Sequence, residues 1–255
     1  MVKYIFKKAL GCIPRPLLIK ISYWVRPFFV FLYKGNKYVD PIDGKSFRTF
    51  LPYGYEKQRP NVLSPSTLSL ERHRLLWLFL KNETSFFTKK AKLLHFAPEQ
   101  AFYNRFKKIK NLDYTTTDLN SPLADVKADI CNLPFDDNSY DYILCNHVLE
   151  HIPDDKKAMQ ELYRILKPGG FAILQIPQDV NREVTFEDDS ITDPKERAQI
   201  FGQYDHLRIY GMDYFDKLKN VGFHVKAIDY TTQLTPQEID KYRLAKGELI
   251  PFCSK

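Results

Sequence analysis

From residue 91 onward, short apolar strand patterns alternate with helical patterns, and this alternation restricts the fold more than any other feature of the sequence. The strand patterns lie at Lys92–Phe96, Tyr114–Thr117, Asp125–Ala128, Tyr140–Cys145, Phe171–Ile176, His224–Tyr230 and Glu248–Cys253. The helical patterns lie at Glu99–Lys108, Asp154–Leu166, Asp213–Asn220 and after Thr235. Strands that alternate with helices predict an α/β fold, in which helices cover both faces of a mostly parallel sheet.

Polar residues follow the first two strands at the places where such a sheet binds its ligands. Ligands of open parallel sheets lie beyond the carboxyl ends of the strands. The first strand ends in a turn that contains His95, Phe96, Ala97, Pro98 and Glu99. Asp118 follows the second strand, about twenty residues after the turn, where an acidic side chain accepts hydrogen bonds from ribose hydroxyls. These two positions predict a nucleotide-like cofactor.

The third and fourth strands end in residues that fit the rest of such a cofactor. Asp129 precedes Ile130, so that a carboxylate can accept from the amino group of an adenine while an apolar side chain covers its ring. The fourth strand is followed by Asn146, His147, Glu150 and His151. A single carboxylate at a strand end is a weak signal, but polar residues at successive strand ends predict a binding site.

The turn after the first strand contains no glycine, although glycines normally let the backbone of this turn approach a cofactor. From the residues alone, two interpretations stay open: the site is built with other side chains, or it has been lost. The missing Gly-x-Gly-x-x-Gly pattern also argues against a nicotinamide-dependent oxidoreductase, because a pyrophosphate group requires that close backbone approach.

The segment LPFDDNSYDYILCNHVLEHIPDDKKAMQELYRILKPGGFAILQIP resembles the class I S-adenosylmethionine-dependent methyltransferases, in the branch of the ubiquinone and menaquinone methyltransferases. The resemblance extends from Lys92 to about Gln178. It implies a Rossmann-like, doubly wound sheet of seven strands with an antiparallel last strand, and S-adenosyl-L-methionine as the cofactor. It also implies cofactor contacts from the first turn and from Asp118, Leu119, Asp129, Ile130, Asn146 and His147.

The glycine-free turn also resembles a bacterial subgroup of this family that carries His-x-Ala-Pro-Glu there, together with SLERHR and Asp-His-x-Arg-x-Tyr-Gly, which here occupies Asp205–Gly211. Adenosylmethionine has no phosphate and therefore needs no phosphate-cradling loop. Glu99 would pair with the ammonium group of its methionine end, and backbone N–H groups would bind the carboxylate.

The polar insertion at residues 178–210 is expected to face the methyl acceptor. An acceptor that must lose a proton needs a base, and His206, His147 and His151 are the candidate catalytic residues. His206 is preferred, whereas His151 alternatively fixes a turn and His147 alternatively packs against the cofactor. Tyr204 and Tyr210 line the acceptor pocket or pack the loop, and Arg208 holds an anionic substrate or is solvated on the surface.

Residues 1–37 form a basic, aromatic extension. Twelve basic and three acidic residues give residues 1–60 a charge of +9, whereas the rest of the chain carries −2, which argues against a nucleic-acid-binding protein. The segment fits neither a secretory signal nor a membrane span. It is expected to pack on the main domain or on a second copy of the chain, or to place Trp24, Phe28, Phe29 and Phe31 against the membrane.

Residues 38–68 carry two turns with x-Pro-x-x spacing, in which Asp40, Asp43, Ser64 and Thr67 occupy the positions of zinc-knuckle ligands. Related bacterial methyltransferases carry Cys-Pro-x-Cys here, so this segment resembles a zinc ribbon that has lost its metal, and no metal site is predicted. Ser69 is the expected N-cap of the next helix, and the methyltransferase domain is assigned to residues 69–255.

The sequence therefore predicts methyl transfer to a small-molecule or lipid- or sugar-linked acceptor. The alternative is a catalytically inactive methyltransferase-fold protein that only binds. The four cysteines have no metal-ligand or redox spacing, which favours a reducing, cytoplasmic location, with peripheral contact to the inner face of the membrane as the alternative. Neither the acceptor nor the oligomeric state follows from the sequence.

Overall fold

The structure is a computed structural model that describes residues 15–54 and 58–255. It divides into two compact units, which are described separately. The first comprises the described residues up to Phe79 and Thr231–Lys246, and the second comprises Leu80–Tyr230 and Gly247–Lys255. The predicted boundaries at residues 37 and 68 both fall inside the first unit, and the predicted three-part division stays a prediction.

The helices and strands are numbered along the chain. The helices are α1 (Arg15–Tyr33), α2 (Glu71–Glu83), α3 (Gln100–Phe106), α4 (Asp155–Ile165), α5 (Pro194–Phe201), α6 (Tyr214–Val221) and α7 (Pro236–Tyr242). The strands are β1 (Lys34–Val39), β2 (Ser46–Phe47), β3 (Leu51–Tyr53), β4 (Arg59–Leu63), β5 (Ala91–Phe96), β6 (Leu112–Asp118), β7 (Val126–Lys127), β8 (Tyr140–Cys145), β9 (Leu166–Ile173), β10 (Phe186–Glu187), β11 (Arg208–Ile209), β12 (His224–Ile228) and β13 (Ile250–Ser254). Two 3-10 helices lie at Leu149–His151 and Tyr230–Gln233.

The second unit is built on a seven-stranded sheet with the order β12-β13-β9-β8-β5-β6-β7. The strands from β9 to β7 pair in parallel, whereas β13 runs antiparallel to both of its neighbours. The predicted Rossmann-like α/β fold with an antiparallel last strand is therefore confirmed. Phe96 pairs with Thr117 on one side and with Cys145 on the other, so the carboxyl ends of β5, β6 and β8 lie level. The chain order reverses at β5, and a ligand site is expected there.

Apolar side chains cover both faces of this sheet. On one face, Met159 and Leu162 of α4 pack with Tyr214 and Leu218 of α6 over the strands. Tyr142 of β8 points to the other face, since successive strand residues alternate, and it stacks on Phe86 with ring centroids 5.4 Å apart. The sheet is thus a rigid support, buried on both sides, for the loops at its carboxyl edge.

In the first unit, hydrogen bonds join the two turns that resemble a zinc knuckle. The buried carboxylate of Asp40 accepts from the hydroxyls of Thr67 at 2.5 Å and Ser69 at 3.1 Å, and from the Ile42 N–H at 2.9 Å. The prediction that Ser69 caps α2 is wrong, because its hydroxyl is committed to Asp40. The helix begins at Glu71, and the ring of His73 accepts from the Leu70 N–H at 3.0 Å instead.

Arg74 of α2 holds the first unit together from inside. Its guanidinium is buried and donates to the backbone carbonyls of Ser69, Val62, Tyr242 and Arg243. Burial lowers the pKa of Arg74 to about 10, so the group stays charged near neutral pH. Arg74 therefore ties α2 to the segment that follows α7.

Helix α1 exposes an apolar stripe. Its side chains at Trp24, Phe28 and Phe31 are 84%, 63% and 80% exposed, at the spacing of one helical face. Within residues 15–54 and 58–255, no helix combines the length and the apolar character that a bilayer span requires.

Candidate cofactor and acceptor site

The turn between β5 and α3 has a backbone conformation that glycine usually adopts, although the turn contains no glycine. Ala97 adopts a φ of +43°, in the left-handed region that glycine favours, and its N–H donates to the carbonyl of Thr117 at 3.0 Å. This conformation costs a residue with a Cβ about 1–2 kcal/mol. The surrounding contacts must therefore hold the turn in place.

A chain of hydrogen bonds supports this turn. Burial raises the pKa of Tyr114 far above its usual value, so its hydroxyl stays protonated and donates to Nδ1 of His95, 2.9 Å away. Nε2 of the buried His95 then carries the proton and donates to Oε2 of Glu99. Asn146, directly after β8, donates to the other oxygen, Oε1, at 3.1 Å. Both oxygens of the Glu99 carboxylate are thus held, and the carboxylate bridges the ends of β5 and β8.

The two predicted carboxylates that follow β6 and β7 are each fixed by backbone N–H groups. Oδ1 of Asp118 accepts from Asn120 at 2.7 Å and from Ser121 at 2.6 Å. Oδ1 of Asp129 accepts from the N–H of Cys131 at 2.9 Å. These turns orient both carboxylates at the carboxyl edge of the sheet.

The apolar neighbours of these carboxylates differ in exposure. Ile130 is buried and packs in the core, and its contact with an adenine ring stays a prediction. Leu119 is exposed, as a residue that covers a ligand can be before the ligand binds.

The segment after β8 turns sharply into the 3-10 helix. His147 has a φ of +55°, and its N–H donates to the carbonyl of Gln175 at 2.7 Å. Its Nδ1 lies 3.5 Å from Oε1 of Glu150. His147 therefore stands between Asn146, on the cofactor side, and Glu150.

The insertion is clamped onto the 3-10 helix by Arg208. Its buried guanidinium donates to the carbonyls of Leu149, Ile152 and Pro153 at 3.2, 2.5 and 3.0 Å. It also pairs with Glu187 at 2.8 Å. The prediction that Arg208 is solvated is wrong, because the group is buried and bonded to carbonyl groups. Its binding of an anionic substrate stays a prediction, since Arg208 is also in the wall of a neighbouring cavity.

The two tyrosines of the insertion, Tyr204 and Tyr210, differ in burial. Tyr210 is fully buried and its hydroxyl donates to Asp155 at 2.7 Å, so it packs the loop. Tyr204 is mostly exposed. Arg208 and Tyr210 of the Asp-His-x-Arg-x-Tyr-Gly motif thus fasten the insertion to the 3-10 helix and the start of α4, and we call these bonds the Arg208 lock. The sequence did not predict this role, since these partners lie more than fifty residues away.

The lock brings the predicted histidines together around Glu150. The Glu150 side chain is 1% exposed, and Nε2 of His206 lies 4.0 Å from its Oε1. The rings of His151 and His206 meet edge to face, with centroids 4.7 Å apart. Burial lowers the pKa of His206, which favours its neutral form. The sequence indicated Glu150 as one of the polar residues that follow the fourth strand, without a specific role.

A cavity of about 320 Å³ lies beside this cluster. Its walls include His206, Gln178, Phe201 and Ile209. The cavity is large enough for a small aromatic molecule. The predicted acceptor-side insertion therefore does form a concave surface at the cluster.

A family model and several known proteins match part of this chain. Residues 96–174 match the model of a family described as "Methyltransferase domain". Over 48 residues, 19% of this chain and 20% of the relative, the chain is 48% identical to a demethylmenaquinone methyltransferase of Staphylococcus epidermidis. Over 52 residues, 20% of this chain and 23% of the relative, it is 44% identical to a 2-phytyl-1,4-naphtoquinone methyltransferase of Nostoc punctiforme.

A solved S-adenosylmethionine dependent methyltransferase from Mesorhizobium loti aligns with 71% of this chain and 98% of its own, with 13% identity and a TM-score of 0.47. The chain spans about a fifth of the length of the curated relatives it matches. The predicted resemblance to methyltransferases is confirmed for residues 96–174, which match a methyltransferase domain.

Proposed function

We propose that this chain transfers a methyl group from S-adenosyl-L-methionine to a small-molecule acceptor. The observation that carries the proposal is the fixed network Tyr114–His95–Glu99–Asn146, which joins the ends of β5 and β8 at the point where the chain order reverses. It lies at the start of the segment that matches a methyltransferase domain. A lost cofactor site would not need to keep a strained turn and four ordered polar side chains.

Each part of the cofactor has a partner in this proposal. Asp118 accepts from the ribose hydroxyls and Asp129 from the adenine amino group. Glu99 binds the ammonium group of the methionine end, and the first N–H groups after the turn bind its carboxylate. The cofactor supplies a methyl group already activated on a sulfonium. The protein then contributes positioning and the exclusion of water.

The acceptor is assigned to the cavity beside His206. His206 lines this cavity and the ring of His151 meets it edge to face, and a neutral imidazole there can take the proton that a hydroxyl acceptor loses. His147 remains the third candidate base. The acceptor is a small molecule, alone or linked to a lipid or sugar. The quinone methyltransferases that align with 48 and 52 residues of this chain support an aromatic acceptor of the quinone type.

The cofactor assignment is tested by calorimetric titration with S-adenosylhomocysteine. Wild type should bind, and Asp118→Ala and Glu99→Ala should each weaken binding about 10–100-fold, the value of one or two hydrogen bonds to a charged group. Asp113→Ala is the matched control, because Asp113 is exposed at the other end of the same strand. A folded wild type that does not bind, or that binds NADH instead, would overturn the proposal.

We also propose that α1 lies on the inner face of an anionic membrane, because its exposed aromatic stripe accompanies the basic charge of residues 1–60. Wild type should sediment with vesicles that contain anionic lipid. Replacement of Trp24, Phe28 and Phe31 by serine should abolish this sedimentation. If wild type ignores the vesicles and forms a dimer that the triple variant loses, the stripe is a contact between two copies instead.

A further inference from the structure

We propose that Glu150, His151 and His206 bind a divalent transition-metal ion such as Zn²⁺. The sequence predicts no such site, since the three residues show no metal-ligand spacing: Glu150 and His151 are adjacent, and His206 lies in the insertion. The fold brings them together through the Arg208 lock. The metal proposal does not depend on methyl transfer.

The three side chains are spaced as ligands around one ion. Each offers one ligand atom, and these atoms all lie within 4.8 Å of one another. Two ligands of a tetrahedral zinc, each about 2.0–2.1 Å from the metal, are separated by roughly 3.4 Å. The 4.0 Å between Glu150 Oε1 and His206 Nε2 is too long for a hydrogen bond but close to this value.

The buried carboxylate of Glu150 accepts no hydrogen bond in the described part of the chain, although Nδ1 of His147 lies 3.5 Å from its Oε1. Among the described residues, Nε2 of His206 also has no hydrogen-bond partner, and both side chains are almost completely buried. An ionised carboxylate in such a place is costly unless a cation or hydrogen bonds compensate it. A cation held between the carboxylate and the imidazoles removes this cost.

Both imidazoles are oriented as metal ligands are. Nδ1 of His206 donates to the carbonyl of Phe201 at 3.0 Å, which leaves the lone pair of Nε2 directed at Glu150. Nδ1 of His151 lies 3.2 Å from the carbonyl of Asp205. A hydrogen bond from the second ring nitrogen to a carbonyl is the usual support of a metal-binding histidine.

Two nitrogen ligands and one carboxylate identify the class of ion. This set suits Zn²⁺, Co²⁺ or Fe²⁺, whereas Mg²⁺ and Ca²⁺ prefer oxygen ligands alone. Three protein ligands leave a coordination position open, and His206 also lines the cavity beside the cluster. If the proposed methyl transfer holds, an acceptor hydroxyl bound at that position would ionise more easily.

The test is a titration of the full chain with ZnCl₂ after removal of bound metal by a chelator. Wild type should bind one equivalent of zinc, and Co²⁺ should give visible d–d absorption with nitrogen and oxygen ligands. Glu150→Gln, which keeps the shape of the side chain, and His206→Ala should each lose zinc affinity by about 100-fold or more. His224→Ala and Cys131→Ser are the controls, since one removes an exposed histidine and the other a partly exposed thiol.

Circular dichroism and binding of S-adenosylhomocysteine identify variants that have lost the fold. The absence of stoichiometric zinc binding in folded wild type would overturn the metal site, as would wild-type zinc affinity in Glu150→Gln. If wild type binds S-adenosylhomocysteine but no zinc, the metal proposal fails while the cofactor proposal stands. If it binds zinc but no S-adenosylhomocysteine, the reverse holds.

Discussion

Two carboxylate–histidine clusters lie after neighbouring strands of the same sheet, and they differ in how their charges are paired. Glu99 accepts hydrogen bonds on both oxygens, from His95 and Asn146. Glu150 lies close to His206 but accepts no hydrogen bond from any side chain or backbone group in the described part of the chain. The same kinds of side chain thus form a complete hydrogen-bond network around Glu99, whereas the carboxylate of Glu150 accepts no hydrogen bond. We call them the paired and the unpaired cluster.

The difference in hydrogen bonding indicates a structural role for the paired cluster and a ligand-binding role for the unpaired one. The paired cluster replaces what glycines would do, because it holds a turn whose Ala97 is in a strained conformation. The unpaired cluster has no backbone to hold, since Arg208 already fixes the 3-10 helix beside it. A group that is buried, unpaired and not needed for the fold is a candidate for binding a ligand.

The largest expected effect comes from Arg208→Ala, which would break the frame of the unpaired cluster. Three carbonyl groups and Glu187 lose their partner, and each buried group left unsatisfied costs about 1–3 kcal/mol. We expect a loss of at least about 3 kcal/mol in the free energy of unfolding, measured in urea.

Two further variants test whether the geometry of Arg208 matters. Arg208→Lys should recover little of the stability, because an ammonium group cannot reproduce the planar fork of donors. Arg182→Ala, at a partly exposed arginine of the same insertion, should change the free energy of unfolding by less than about 1 kcal/mol. Equal losses for Arg208→Ala and Arg182→Ala would show that the insertion is not locked in this way.

Glu99→Gln should destabilise the paired cluster. The substitution keeps the size of the side chain but removes the charge that strengthens two hydrogen bonds, and one amide oxygen cannot replace two carboxylate oxygens. We expect a loss of about 2 kcal/mol in urea unfolding without ligand. Unchanged stability would mean that the turn is held by packing alone.

Glu150→Gln should change the free energy of unfolding in the opposite direction to Glu99→Gln. In chelator-treated protein the variant removes an unpaired buried charge, so it should unfold at equal or higher urea, with a gain of about 1 kcal/mol. Zinc should reverse the order of wild type and variant, since only wild type then gains binding free energy. A loss as large as that of Glu99→Gln would remove the contrast between the clusters.

The contrast also marks the limit of what the sequence could predict. The strand Tyr140–Cys145 is observed with its predicted bounds, and the carboxylates Asp118 and Asp129 lie at the predicted strand ends, because periodicity and turn chemistry are local signals. The roles of Arg208 and Glu150 were not predictable. They depend on contacts between an insertion and a strand end more than fifty residues apart, and nothing in the local pattern reports them.

One smaller error has the same cause. Ser69 has the residue type of an N-cap, but its hydroxyl donates to Asp40, twenty-nine residues away. A tertiary contact thus outweighs the local preference of the serine.

The smallest expected effect is that of Ala97→Gly, which tests whether the turn is a glycine turn made without glycine. Glycine would remove the left-handed cost of about 1–2 kcal/mol, but it loses about 0.5–1 kcal/mol more conformational entropy on folding. The net gain should be about 0.5 kcal/mol, or a rise in Tm of about 1–2 °C. Ala101→Gly, one turn further on in α3, is the comparison variant and should destabilise by at least about 1 kcal/mol, because the change there weakens a helix and also removes a buried methyl group. If both variants destabilise alike, the packing of the Ala97 methyl group outweighs the cost of its left-handed conformation. Alanine would then suit this turn better than glycine.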